Sequence, residues 1–240
     1  MMVYIHTDIG NGRAENQDCV DSAYLDNAVF AVVCDGMGGS NAGREASNRA
    51  VTIIKERIVK SYRSDYDSNK IRNLLVAAVK TANAVVYELG TTVPEWNGMG
   101  TTCVLSLVKD GIVHTVNVGD SRAYLVSHEI RQITRDHSMV MNMYERGDIT
   151  KEELKNHPKR NVITRAVGVC ETVEPDYFET ELPQNAAVVL CSDGLSNFCD
   201  EGVIFRMTKD IPAEELPRSL VETALNNGSG DNITAAVIKQ

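Results

Sequence analysis

The 240-residue chain has no apolar run long enough to span a bilayer. Its first residues, Met1 to His6, show neither the basic start nor the long apolar stretch of a secretory signal. Together these set the expectation of a cytoplasmic protein with no membrane partner. No C-x-x-C pair occurs either. Cys19, Cys34, Cys103, Cys170, Cys191 and Cys199 are scattered, which argues against a zinc site or a disulfide framework. Cys34, Cys103 and Cys191 lie inside apolar runs and read as small buried hydrophobes. Positive charge is in short supply. With 24 Lys and Arg against 33 Asp and Glu, the formal net charge is -9, which argues against nucleic acid as a main partner. Internal repeats and low-complexity linkers are also missing, so residues 1–240 are expected to form one domain. At 43% hydrophobic and 24% charged, the composition leaves enough apolar side chain for a sizeable core.

Short runs rich in Val and Ile predict strands at 29–34, 102–108, 112–118, 122–126, 187–191 and 233–238. Asp110-Gly111 predicts a hairpin between the second and third. Apolar residues at steps of three and four predict amphipathic helices over 42–59 and 69–89. A later helix is expected over 213–226, closed by Asn227-Gly228. Helices grouped together, with hairpin-linked strands between them, indicate an α+β layered fold rather than a doubly wound one. Residues 136–168 are polar and read as a partly helical flap on the surface.

Three acidic residues follow strand-like runs and neighbour glycine: Asp35 before Gly36, Asp120 after Gly119, and Asp193 before Gly194. A fourth, Asp231, stands just before the last run. A strand end fixes its side chain on a rigid sheet, and glycine leaves the backbone carbonyl accessible. Carboxylates gathered at one sheet edge repel each other and respond by taking up protons or by binding a cation. An all-oxygen donor set suits Mg²⁺ or Mn²⁺. Asp-Gly pairs also serve as ordinary turns, so position alone leaves both readings open. Asp35-Gly36-Met37-Gly38-Gly39 lacks the Lys-Ser/Thr ending of a P-loop and the spacing of a dinucleotide fingerprint.

A more specific signal comes from the order of motifs. Arg13-Ala14-Glu15-Asn16-Gln17-Asp18, Asp35-Gly36-Met37-Gly38-Gly39, Gly100-Thr101-Thr102 and Val118-Gly119-Asp120-Ser121-Arg122 are followed by Asp136-His137-Ser138. Asn161 to Gly168, Ser192-Asp193-Gly194-Leu195 and Gly230-Asp231-Asn232-Ile233-Thr234 complete the series. In this order they resemble the type 2C (metal-dependent, PPM) Ser/Thr protein phosphatases, in particular the bacterial single-domain members.

The resemblance implies an αββα sandwich, two antiparallel sheets with helices on both outer faces. It implies two Mg²⁺ or Mn²⁺ ions and a third, weaker one. Asp35 would bridge the first two, the Gly36 carbonyl would bind the first, and Asp193 and Asp231 would bind the second. Asp18 would act on the second directly or through water, and Asp120 would join Asp193 at the third. Arg13 would bind the substrate phosphate; from the residues alone its partner would be Glu15 or Asp8. The implied reaction is hydrolysis of phosphoserine and phosphothreonine by a metal-activated water. The implied partners are phosphorylated proteins, including Ser/Thr kinases; the sequence carries no oligomer signal, so a monomer is the default expectation.

Two departures stand out. Met37 occupies a position where some members carry a proton-donating His, so the leaving-group proton must come from water at the metals or from another group. Gln17 stands where others carry Glu. The flap carries a basic cluster, Lys155, His157, Lys159, Arg160 and Arg165, which reads either as a docking site for acidic phosphopeptides or as a solvated loop. Two other functions compete: an inactive regulatory module on the same fold and a small-molecule phosphatase. Such inactive relatives usually lose metal-site acids, and here all five aspartates are present.

Overall fold

A computed structural model describes residues 1–39 and 41–239, without the side chain of Lys155. The strands in chain order are β1 (Met2–Asp8), β2 (Asp18–Tyr24), β3 (Ala28–Met37), β4 (Gly100–Thr101), β5 (Cys103–Lys109) and β6 (Ile112–Val118). They continue with β7 (Arg122–Val126), β8 (Ile130–Gln132), β9 (Asp176–Glu181), β10 (Ala187–Cys191) and β11 (Ile233–Lys239). The helices are α1 (Ala42–Ser61), α2 (Ser68–Thr92), α3 (Met139–Glu145), α4 (Lys151–Asn156), α5 (Asp193–Ser196), α6 (Glu201–Asp210) and α7 (Leu216–Asn226).

Alternation along β3 sets the layering, because successive side chains leave a strand on opposite faces. Phe30, Val32 and Cys34 enter a core shared with Ala46, Ile54, Leu75 and Val79 of α1 and α2. Ala31 and Val33 enter a second core with Ala123, Leu125, Val188, Leu190 and Ala236 of the other sheet. The opposite face of that other sheet, through Val189, Cys191, Ala235 and Val237, packs on Ile204 of α6 and on Leu216, Leu220 and Ala224 of α7. The result is four layers, helices outside and sheets inside. One sheet runs β1-β11-β10-β7-β8; the other runs β2-β3-β5-β6-β9, with β4 paired to β3. Every pairing is antiparallel.

The αββα expectation therefore holds. The strands at 112–118, 122–126 and 187–191 occur with the expected bounds, and the hairpin turns at Asp110 and Gly111, both at positive φ. The first predicted strand is too short: β3 continues through Asp35 to Met37, because Gly36 and Met37 pair with Thr101 and Gly100. Asp35 thus lies within a strand rather than after one. Helix α7 starts at Leu216 instead of 213, with Pro at its first turn, where a missing N–H costs nothing. The flap contains α3 and α4, as expected of a partly helical segment. Its base is not on the surface, since Asp136, His137 and Ser138 are buried. Cys34, Cys103 and Cys191 are buried free thiols. No helix among the described residues is long and apolar enough to cross a membrane.

Candidate functional site

The alternation that builds the middle core also builds the site. Asp35 follows Ala31 and Val33 on the inner face of β3, at the end of the sandwich. Asp18 sits directly opposite it on β2, so both carboxyl groups leave the same face as close cross-strand neighbours. The second sheet answers from its own inner face. Ser192, just after β10, and Thr234, on β11, each donate a hydroxyl hydrogen bond of 2.7 Å to Asp18 Oδ2. Asp18 Oδ1 is buried with no hydrogen-bond partner among the described residues. Thr102 holds Asp35 in register by accepting its backbone N–H at 2.9 Å, and its hydroxyl bonds that of Ser121 at 2.7 Å.

Gly36 has no room for a side chain. A Cβ there would stand 2.0 Å from the Gly43 carbonyl oxygen of α1 and 2.7 Å from that of Gln17. The helix can therefore close on the strand only because this residue is glycine.

Asp193 opens α5 and Asp120 follows β6, which brings both to the same end of the sandwich. These acids are ill at ease as anions. Burial pushes the Asp18 carboxyl up to about 7, against hydrogen bonds from Thr234 and Ser192 and with added repulsion from Asp193 and Asp231. Burial holds Asp35 well above the usual carboxylate range, and Asp18, Asp193, Asp120 and Asp231 all add to the effect. Asp120 is pushed up to about 7 by burial, then by Asp193 and Asp136. Asp193 is raised by burial and by Asp231, partly offset by a hydrogen bond with Asp35. Asp35, Asp120 and Asp193 retain some exposed area, but the surrounding protein still desolvates them.

Arg13 caps the cluster, and its partner is neither Glu15 nor Asp8. Its Nε donates to Asp231 Oδ1 at 2.7 Å and its Nη2 to Oδ2 at 2.8 Å, a two-pronged pair between residues 218 positions apart. Glu15 instead accepts from Gln17 Nε2 and Asn41 N, and Asp8 accepts from Gly10 N. Two features bring the Arg13 loop onto Asp231. A Cβ on Gly10 would stand 1.9 Å from the Asp231 carbonyl oxygen, and this residue has φ +76°. The Asn232 side chain donates to the Ile9 and Glu15 carbonyls and accepts from Gln17 N.

With Asp231 turned onto Arg13 and Asp18 Oδ2 held by two hydroxyls, no three acidic, His or Cys side chains among the described residues close on one point. The donor set nonetheless fits a hard divalent cation. It is all oxygen, it carries repulsion that a bound cation would relieve, and Asp18 Oδ1 has no partner among the described residues.

Residues 9–227 match the family described as protein phosphatase 2C. The chain belongs to that family. It is 33% identical over 243 residues to the serine/threonine phosphatase stp of Listeria monocytogenes, covering 100% of this chain and 96% of the relative. Its structure superimposes on the S. agalactiae serine/threonine phosphatase with a TM-score of 0.93 at 31% identity, covering 100% of this chain and 99% of the other. The catalytic domain of the serine/threonine protein phosphatase PstP, solved with two manganese ions, matches with a TM-score of 0.84 at 30% identity, over 98% of this chain and 96% of that one.

Several residues of this protein phosphatase 2C chain do work that sequence reading assigned to none of them. Ser192, Thr234, Thr102 and Asn232 appear there only as members of motifs, without a role. A hydroxyl that fixes one carboxylate oxygen is visible only once two sheets meet. His137 lies beside the cluster as a structural group. Its Nδ1 accepts Gly119 N–H at 3.0 Å, which leaves the proton on Nε2, 3.1 Å from Asp176 Oδ2. That bonding fixes the turn before Asp120. In the flap, Lys159 and Arg160 are exposed, and Lys155 lies outside the described side chains. Arg165 is engaged by Asp176 at 2.6 Å and by the Glu174 carbonyl at 2.8 Å.

Proposed function

We propose that residues 1–240 form one catalytic domain that hydrolyses phosphoserine and phosphothreonine in proteins, opposing Ser/Thr kinases as a cytoplasmic monomer. Asp35 would bridge two Mg²⁺ or Mn²⁺ ions, with the Gly36 carbonyl on the first and Asp193 and Asp231 on the second. Asp18 would reach the second directly or through water, and Asp120 with Asp193 would hold a third. When bound, such ions act as Lewis acids on phosphoryl oxygens and activate water as a nucleophile near neutral pH. The single observation that carries this reading is the cross-strand Asp18–Asp35 pair, in which Asp18 Oδ1 is buried without a hydrogen-bond partner among the described residues.

The chain's own groups supply the rest. Ser192 and Thr234 orient Asp18 by holding Oδ2, which leaves Oδ1 free for the cluster. Thr102 and the β4 pairing hold the Asp35–Gly36 backbone still. Arg13 stands at the mouth, where its planar fork suits two phosphate oxygens as well as the two carboxylate oxygens it now holds. Met37 has no exchangeable proton and His137 is committed to Gly119 and Asp176. The leaving-group proton would therefore come from water rather than from either side chain.

The direct test compares a phosphothreonine peptide with sugar phosphates, each with Mn²⁺ and with a chelator. Metal-dependent turnover of the peptide, well above that of the sugars, is expected. Turnover of sugars alone would instead mark a small-molecule phosphatase, and no turnover of either would mark an inactive module.

Arg13→Ala should lower kcat/KM on the peptide by about 10²-fold, the scale of losing one charged contact to a transition state. The same change frees Asp231 Oδ2 and leaves Oδ1 bonded only to Asn232 N–H, so Mn²⁺ binding, followed by titration calorimetry without substrate, should tighten. Weaker Mn²⁺ binding in the variant would show that Arg13 does not compete for that carboxylate.

A further inference from the structure

A cavity of about 390 Å³ lies beside the acid cluster, and nothing in the reaction above uses it. Its wall is largely apolar: Met37, Ile163, Ala166, Val169 and Val173 line it, with Thr172. Val169 is 52% exposed, so its side chain is open to an incoming ligand. Arg165 and Glu174 also border the space. Both are already paired, Arg165 with Asp176 at 2.6 Å and Glu174 with Lys80 at 2.8 Å. Each has an opposite charge beside it, which lessens its pull on a charged ligand.

The cavity is held open rather than left to chance. Asn83, buried on α2, donates to the carbonyls of Cys170 and Glu171 at 3.0 and 3.1 Å and accepts from Gly168 N at 2.8 Å. Thr101 and Val167 exchange backbone hydrogen bonds of 3.0 and 2.8 Å, which ties the same loop to the strand paired with Gly36. The loop that carries Val169 and Cys170 is thus fixed to both α2 and β4, the neighbour of the strand that carries Asp35.

Position decides what the cavity can take. Met37 is two residues beyond Asp35 in β3, so both side chains leave the same face, with Cα atoms about 6.6 Å apart. An extended peptide advances about 3.3–3.6 Å per residue. A residue one or two places from a phosphorylated residue bound at Asp35 therefore reaches Met37. A charged side chain placed there would lose water without gaining a partner. An aliphatic one would gain burial.

We propose that this cavity is a specificity subsite for an aliphatic side chain, of Leu, Ile or Met size, one or two residues from the phosphoserine or phosphothreonine of a protein substrate. The proposal rests on the phosphatase reading of the adjoining site, and the experiment separates the two.

The full chain with Mn²⁺ is given phosphothreonine peptides that differ only in carrying Leu, Ala or Asp at each of the two positions on either side. A small aryl phosphate serves as the substrate that cannot reach the cavity. Leu at one of these positions should raise kcat/KM about tenfold over Asp, consistent with burial of one aliphatic side chain. In Val169→Trp, which fills the space, and Val169→Asp, which charges it, the preference should collapse to within about twofold, with aryl phosphate turnover unchanged. A peptide series with no preference, or a preference that survives in both variants, would overturn the subsite. So would an equal loss on the aryl phosphate, which would make Val169 a support of the acid cluster. If the unaltered chain turned over neither peptides nor aryl phosphate, the phosphatase reading itself would fall.

Discussion

Asp35→Asn should reduce Mn²⁺-dependent turnover of a phosphothreonine peptide by about 10³-fold or more and, in a chelator, raise the melting temperature. The activity loss follows from removing the carboxylate on which both proposed ions depend, and a single preorganised charge commonly accounts for that much of a rate. The gain in stability follows from the same geometry. Asp35 faces Asp18 directly across the strand pair and is raised further by Asp193, Asp120 and Asp231. An amide of the same shape keeps the packing and removes first the cost of burying a carboxylate, then the repulsion from its neighbours. Relief of about 1 kcal/mol corresponds to roughly 2–4 °C for a chain of this size. A variant both inactive and less stable in chelator would mean that Asp35 is a structural residue, and the bridging role would fail. Function bought at the expense of stability is common where charges of one sign must be held together.

The second large effect is an opposite pH dependence of stability with and without the divalent ion. The sign follows from proton counting. Asp18 is raised to about 7 in the fold, against about 3.9 in an unfolded chain. Between those values the folded chain binds more protons, so stability falls as pH rises through the window and the full penalty is present above it. Asp120, also raised to about 7, adds in the same direction. In chelator the protein should lose on the order of 3 kcal/mol between about pH 4 and about pH 7. With Mn²⁺ the trend should reverse, because deprotonated carboxylates bind the ion better as pH rises. At a hundredfold excess over Kd the ion adds about 2.7 kcal/mol. Scanning calorimetry at pH 5 and pH 7.5 in both conditions checks this. Parallel curves would show that these carboxyls are not the ones that bind the ion.

How far the sequence anticipates this structure depends on what kind of signal each element leaves. Strands β6, β7 and β10 are buried on both faces or bounded by turns, so apolar runs mark them at both ends. Strand β2, Asp-Cys-Val-Asp-Ser-Ala-Tyr, is half-buried and mixes polar with apolar residues, and β9, Asp-Tyr-Phe-Glu-Thr-Glu, is an edge with acids facing water. Neither contains a run to find. Edge strand β1 differs: Met2 to Ile5 form an apolar run, yet with only Val3 buried it lacks the turn-bounded pattern of a core strand. The five aspartates are legible as a group through the order of their motifs. Their inequality is not, since it depends on which carboxyl meets two hydroxyls and which meets an arginine. The Arg13–Asp231 pair spans 218 residues, and local charge spacing offers only Glu15 and Asp8. The cavity beside Met37 depends on α2 holding a distant loop through Asn83, which no local pattern in either segment reveals.

The Asn232 side chain has a consequence for the order of events in folding. Its bonds to Ile9, Glu15 and Gln17 close loops of 223, 217 and 215 residues. Closing so long a loop adds little entropy cost over a shorter one, but contacts of such range form late. A chain emerging from the ribosome carries Asp18, Asp35 and Asp120 long before Asp193 and Asp231 exist. The mutual repulsion of the acids is met in full only when the final strand docks between β1 and β10. Assembly of the acid site thus depends on the docking of β11, which brings Thr234 onto Asp18 and Asp231 onto Arg13.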